Sequence, residues 1–278
     1  MLNEILKIVL SRNINNKKLN KDDIRRICYI IIKKMKYEKM VRRILFEKRN
    51  QKFDDVASFD GEDLIFYIDS NIELANKNYQ DLLNKNMVIK GGLISYYNFE
   101  ILNTIFHEFA HIRQDYLICR RVNNKEAEIY NICYKIVEKI KGFYQDNYEI
   151  LLTEINAFND GMLKSFNIYK NAPLDAVCKN DKEIYAKLLL NEILSNYYAN
   201  NNQIFSSSEI LIETLKYYNY DECREQIDRL ESIVYQNNFS LYDRVKLGLP
   251  ITLKEYQYLN IIYDNIKTNY NFVKKIRK

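Results

Sequence analysis

The stretch from Asn98 to Arg121, NFEILNTIFHEFAHIRQDYLICRR, contains no proline and no glycine. Leu102, Ile105, Phe106, Phe109 and Ala110 recur there at helical spacing, and Asn98 stands ahead of the run as an N-cap candidate. A long helix is therefore expected. It carries His107 and His111, the only two histidines of the chain, with Glu108 directly after the first. Four residues turn a helix by about 400°, so both imidazoles lie on one face about one pitch apart. That spacing lets two ring nitrogens reach one metal ion, and it leaves Glu108 able to act on a water held by that metal. The plain alternative is a surface helix whose histidines merely titrate.

The rest of the composition fits a mainly helical chain. Two prolines and six glycines in 278 residues leave little room for a turn-rich sandwich or barrel, and 47% hydrophobic residues supply a packed core. The expected class is mainly α with some β (α+β). Helices are expected over 2–12 and 22–49. Residues 55–69 read as a β-hairpin, because Asp60-Gly61 separates two alternating runs. Ser70-Asn71-Ile72-Glu73 has the form of a capping box opening a helix to about 86, and 87–95 reads as a loop or short edge strand. Further helices are expected over 125–142 and 146–166, and from about 180 to the polar run 200–202. Others are expected from about 208, over 221–235, and from the capping box Thr252-Leu253-Lys254-Glu255 through about 272. The implied organisation is a basic helical segment (1–50), a core (51–170) and a helical C-terminal region (171–278).

Charge is unevenly placed. Residues 1–50 carry 15 Lys or Arg against 5 Asp or Glu, although the net charge of the whole chain is only +5. Such a segment could contact nucleic acid or another anionic partner, but it holds no recognised nucleic-acid motif. The five cysteines are scattered with no CxxC pair, which suggests reduced thiols in a cytoplasmic protein. No apolar run is long enough to span a membrane, and the N-terminus lacks the features of a signal peptide.

A metal held by two histidines needs a third protein ligand, and with no third histidine it must be Asp, Glu, Cys or Tyr. Glu154, in LLTEINAFNDG, is the leading candidate, because small Ala157 three residues on would let its helix approach another closely. Glu128, Glu149 and Glu192 are the alternatives. Asp115 and Asp160 are candidates to orient the imidazoles.

HEFAH followed by a downstream E-x-x-A resembles the gluzincin group of zinc metallopeptidases. The order of hairpin, metal helix and glutamate helix is similar to the small intracellular zincins of phages and mobile elements that cleave repressors. The likeness covers roughly residues 55–166. It implies a zincin-like core with a small β-hairpin or antiparallel sheet and a metal-binding helix, plus additional helices at both ends. It also implies Zn2+ on His107, His111 and Glu154, with Glu108 as the catalytic base that takes a proton from metal-bound water. A protein or peptide substrate would lie along the edge of the hairpin or of 87–95. The competing expectation is a non-catalytic zincin-fold binding protein whose basic first fifty residues contact nucleic acid or a protein partner.

Overall fold

The computed structural model describes residues 1–48, 55–120, 124–200, 202–217, 221–236 and 239–266. In chain order its elements begin α1 (Leu2–Ile14), α2 (Lys21–Met35), β1 (Arg43–Glu47), β2 (Ala57–Phe59), β3 (Asp63–Tyr67), α3 (Ile68–Asn84) and α4 (Gly92–Cys119). They continue α5 (Lys125–Lys139), α6 (Phe143–Asn147), α7 (Leu152–Lys170), α8 (Lys179–Ser195), β4 (Tyr197–Asn200) and β5 (Gln203–Ser206). The last four are α9 (Ser207–Tyr217), α10 (Arg224–Tyr235), α11 (Leu241–Leu247) and α12 (Leu253–Asp264). The described residues are mainly α with two small sheets, as the composition predicts. No described helix is long and apolar enough to cross a membrane. The chain forms two compact units. One takes residues 1–112 and 161–186; the other takes 113–160 and the described residues from 187 on.

In the first unit, Asn20 and Asp23 close a capping box at the start of α2, which buries Ile24, Ile27, Cys28, Ile31 and Ile32. The helix expected over 22–49 ends at Met35. Lys36 takes a left-handed conformation (φ 60°), and residues 43–47 form a strand instead. The physical reason is distant: β1 pairs in parallel with β3, Ile44 beside Leu64 and Phe46 beside Phe66. The predicted hairpin is present, with β2 antiparallel to β3 and Gly61 at φ 96° in the turn. The Asp60 side chain accepts from the backbone N–H groups of Glu62 (3.0 Å) and Asp63 (2.7 Å). Because the strand order is β1-β3-β2, β3 is central and not an edge.

Two expected helix starts are corrected. Helix α3 begins at Ile68, so Ser70 and Asn71 lie inside its first turn and are buried rather than forming a capping box. Asn71 instead donates to the carbonyls of Val56 (2.5 Å) and Tyr67 (3.0 Å), tying the helix to the hairpin. Helix α4 begins at Gly92, so Asn98 is not an N-cap, and 87–95 holds no strand. The backbone N–H groups of Lys90 (2.7 Å) and Gly91 (3.0 Å) donate to the Asp181 carboxylate just before α4 starts. Asn98, fully buried, accepts from the Leu19 N–H (2.7 Å) and donates to Asn13 Oδ1 (2.7 Å). The core beside it stacks Phe99 on Tyr185 at 4.2 Å, with Tyr169 edge-on to both.

In the second unit, Asn124 caps α5 by accepting from the Ala127 N–H (2.7 Å). Ile129, Ile132, Cys133 and Ile136 of α5 share a core with Leu211, Ile212 and Leu215 of α9 and with Ile227, Leu230, Ile233 and Val234 of α10. Helix α8 stops at Ser195 rather than near 200, and a second hairpin, β4–β5, follows with Asn202 at φ 65°. The capping box at Thr252 and Glu255 opens α12 as expected. Its predicted end, about 272, lies outside the described residues.

Candidate metal centre

Helix α4 presents Asn103, His107, His111 and Gln114 at spacings of four, four and three, which places them along one face. The Nε2 atoms of His107 and His111 lie 3.1 Å apart, with the rings at 76° to one another. Two nitrogens on one zinc-like ion, at bonds of about 2.0–2.1 Å and near-tetrahedral angles, stand about 3.3–3.4 Å apart. The same 3.1 Å also suits an N–H···N hydrogen bond between neutral rings. His107, His111 and Glu154 each offer one ligand atom, and the three atoms lie within 4.8 Å of one another. This is a His/His/Glu cluster that could hold a metal ion. Two imidazole nitrogens and one carboxylate are a donor set of borderline softness, suited to a divalent transition metal rather than to calcium or magnesium. The donors therefore fit the expected group.

Close packing sets the helix that carries Glu154. Where α7 passes α4 in the first unit, a β-carbon on Gly161 would stand 2.9 Å from the Asn103 backbone carbonyl oxygen and 3.3 Å from the His107 backbone nitrogen. Gly161 lies seven residues beyond Glu154, so the two share a helix face. Ala157, the small residue singled out from the sequence, is fully buried, but the residue of closest approach is Gly161.

In the second unit, side chains tie down Thr153 and Asn156, which flank Glu154 and Ile155 on α7. Gln114, fully buried, donates to the Thr153 carbonyl (2.8 Å) and to Asn156 Oδ1 (3.3 Å). The Tyr130 hydroxyl donates to the same Asn156 oxygen (2.8 Å) and is 2.6 Å from Glu126. Arg113 makes a two-pronged pair with Glu126 (2.8 and 2.6 Å), and Lys246 adds a third contact at 3.4 Å. Burial pushes the Glu126 carboxyl up. The bonds from Arg113 and the charge of Lys246 outweigh that burial and hold it at about 2. Tyr144 donates its hydroxyl to Glu154 Oε1 (3.3 Å).

Glu108 and Glu154 are both buried, at 5% and 4% exposure, and His111 is half-buried. Of the alternative ligands, Glu128 pairs with Arg229 (2.7 Å), and the cluster includes neither it nor Glu149 nor Glu192. Asp115 hydrogen-bonds the Tyr134 hydroxyl, and Asp160 stands 3.8 Å from Lys246. Gln114, Tyr130, Asn156 and Tyr144 escape a motif-based reading. Only Gln114 left a trace in the sequence, three residues beyond His111 on the same face.

No protein-family model, no curated protein and no solved structure matches this chain.

Proposed function

We propose that the chain is a zinc-dependent metallopeptidase of the gluzincin sort, with His107, His111 and Glu154 holding the ion and Glu108 as the proton-transferring carboxylate. The observation that carries this reading is the convergence of the chain's only two imidazoles with one buried carboxylate. When bound, zinc supplies Lewis-acid polarisation of a carbonyl and lowers the pKa of water towards neutrality. The chain's residues do the rest. His107 and His111 act through Nε2, which requires the tautomer protonated at Nδ1. Glu108, one residue along from a ligand, accepts a proton from the attacking water as its oxygen bonds to the peptide carbon. It then gives that proton to the amine nitrogen as the C–N bond breaks.

The substrate class that fits is a protein or peptide. Five free thiols, three of them buried, fit a reducing, cytoplasmic setting. With β3 enclosed by β1 and β2, an added substrate strand would have to use an outer strand of that sheet. The test is Glu108→Gln. The variant should keep one zinc per chain by elemental analysis and lose hydrolysis of a casein or peptide-library substrate that the native chain cleaves. Retained turnover in that variant would refute the mechanism.

A further inference from the structure

We infer that the outer face of α1 and α2 binds single-stranded nucleic acid, a role separate from the metal cluster. Two adjoining surface grooves run between these helices, lined by Lys7, Arg26, Tyr29, Ile30, Lys33 and Lys34. On α2, Arg26, Tyr29, Ile30 and Lys33 follow the i, i+3, i+4, i+7 rule and share one face over about 10 Å. Lys7, Arg26, Lys33 and Lys34 are exposed, and none has an ion pair among the described residues. The acidic residues nearby are largely taken. Asp23 accepts from the Asn20 N–H in the capping box and pairs with Arg12 at 2.7 Å, and Asp22 pairs with Arg25 at 3.2 Å; Glu4 also borders the grooves.

Charge alone would suit any polyanion, so the aromatic residue decides among them. Tyr29 is 57% exposed and stands between Arg26 and Lys33. A solvent-facing ring flanked by cations is a stacking platform for an unpaired base, with the cations left for the phosphates. An acidic peptide would make no use of that ring. A membrane would need an apolar face. That of α2 (Ile24, Ile27, Cys28, Ile31, Ile32) is at most 6% exposed, and exposed Ile14 and Met35 stand singly at the helix ends.

The experiment uses the full chain and a fluorescein-labelled oligo(dT) twenty-mer, read by anisotropy from 50 mM salt upward. Four phosphate contacts predict a slope of log K against log salt of about −3. Replacing Lys7, Arg26, Lys33 and Lys34 by Gln should weaken binding at least tenfold. Tyr29→Ala should weaken it about fivefold or more. All five side chains are on the surface, so circular dichroism and the melting midpoint should stay put. If the quadruple variant does not fold, Tyr29→Ala still decides. Each of four results overturns the proposal: no saturable binding at 50 mM salt, native affinity in the quadruple variant, native affinity in Tyr29→Ala, or polyglutamate or phosphatidylserine vesicles bound as tightly as the oligonucleotide.

Discussion

The hydroxyl of Tyr144 donates to one oxygen of Glu154 at 3.3 Å, so the two side chains are oriented as a pair. Partners of this kind fix a ligating carboxylate, and removing them costs metal affinity by about tenfold to a hundredfold. Tyr144→Phe should weaken zinc binding by that factor, measured by competition with a chromophoric chelator. Tyr144 is 38% exposed, so the apo melting midpoint should hardly move.

Metal addition should raise the melting temperature of the native chain, because an ion that binds only the folded state stabilises it by mass action, by about 2.7 kcal/mol at a hundred times Kd. His111→Ala should abolish the shift. Scanning calorimetry with and without zinc reads both.

Gly161→Ala should destabilise the fold by about 2–3 kcal/mol. Its new methyl would meet the Asn103 carbonyl oxygen at 2.9 Å, a backbone atom that cannot rotate away. Urea unfolding gives the cost, and Ala157→Gly is the control expected to cost less than Gly161→Ala does.

Acid should weaken the second unit through Glu126. Its carboxyl is held at about 2 in the folded protein, below the ordinary value of 4.5. A depressed carboxyl contributes stability above its unfolded pKa and loses it as pH falls through the folded value. The loss should therefore run from about pH 4.5 down to about 2 and amount to at most about 3–4 kcal/mol. Glu126→Gln should remove that dependence and cost about 2–3 kcal/mol at neutral pH, because Arg113 is left three-quarters buried beside an uncharged partner. Urea unfolding at a series of pH values reads both effects.

Signals that act within one turn were legible in the sequence. Asp60-Gly61 marks the hairpin and Thr252 with Glu255 opens α12, because each is completed by residues at most three apart. The helical face of His107 and His111 was legible for the same reason. Signals completed from far away were not. Arg43–Glu47 becomes a strand only because residues 63–67 lie beside it. Asn98 reads as a cap until the end of α1 and the segment after it, Asn13 to Leu19, arrive to take its side chain. Ser70 and Asn71 read as a cap until the Val56 carbonyl claims Asn71. At the His/His/Glu cluster, Glu154 stood out by its small neighbour, whereas the network through Tyr130 and Glu126 joins α5 to α7 and has no local signature.

The two imidazoles 3.1 Å apart are also the whole imidazole complement of the molecule. A nitrogen-15 histidine label therefore interrogates this one spot with no background from elsewhere in the chain. Ion loading, protonation and ligand approach can each be followed there in the native protein, without introducing a probe.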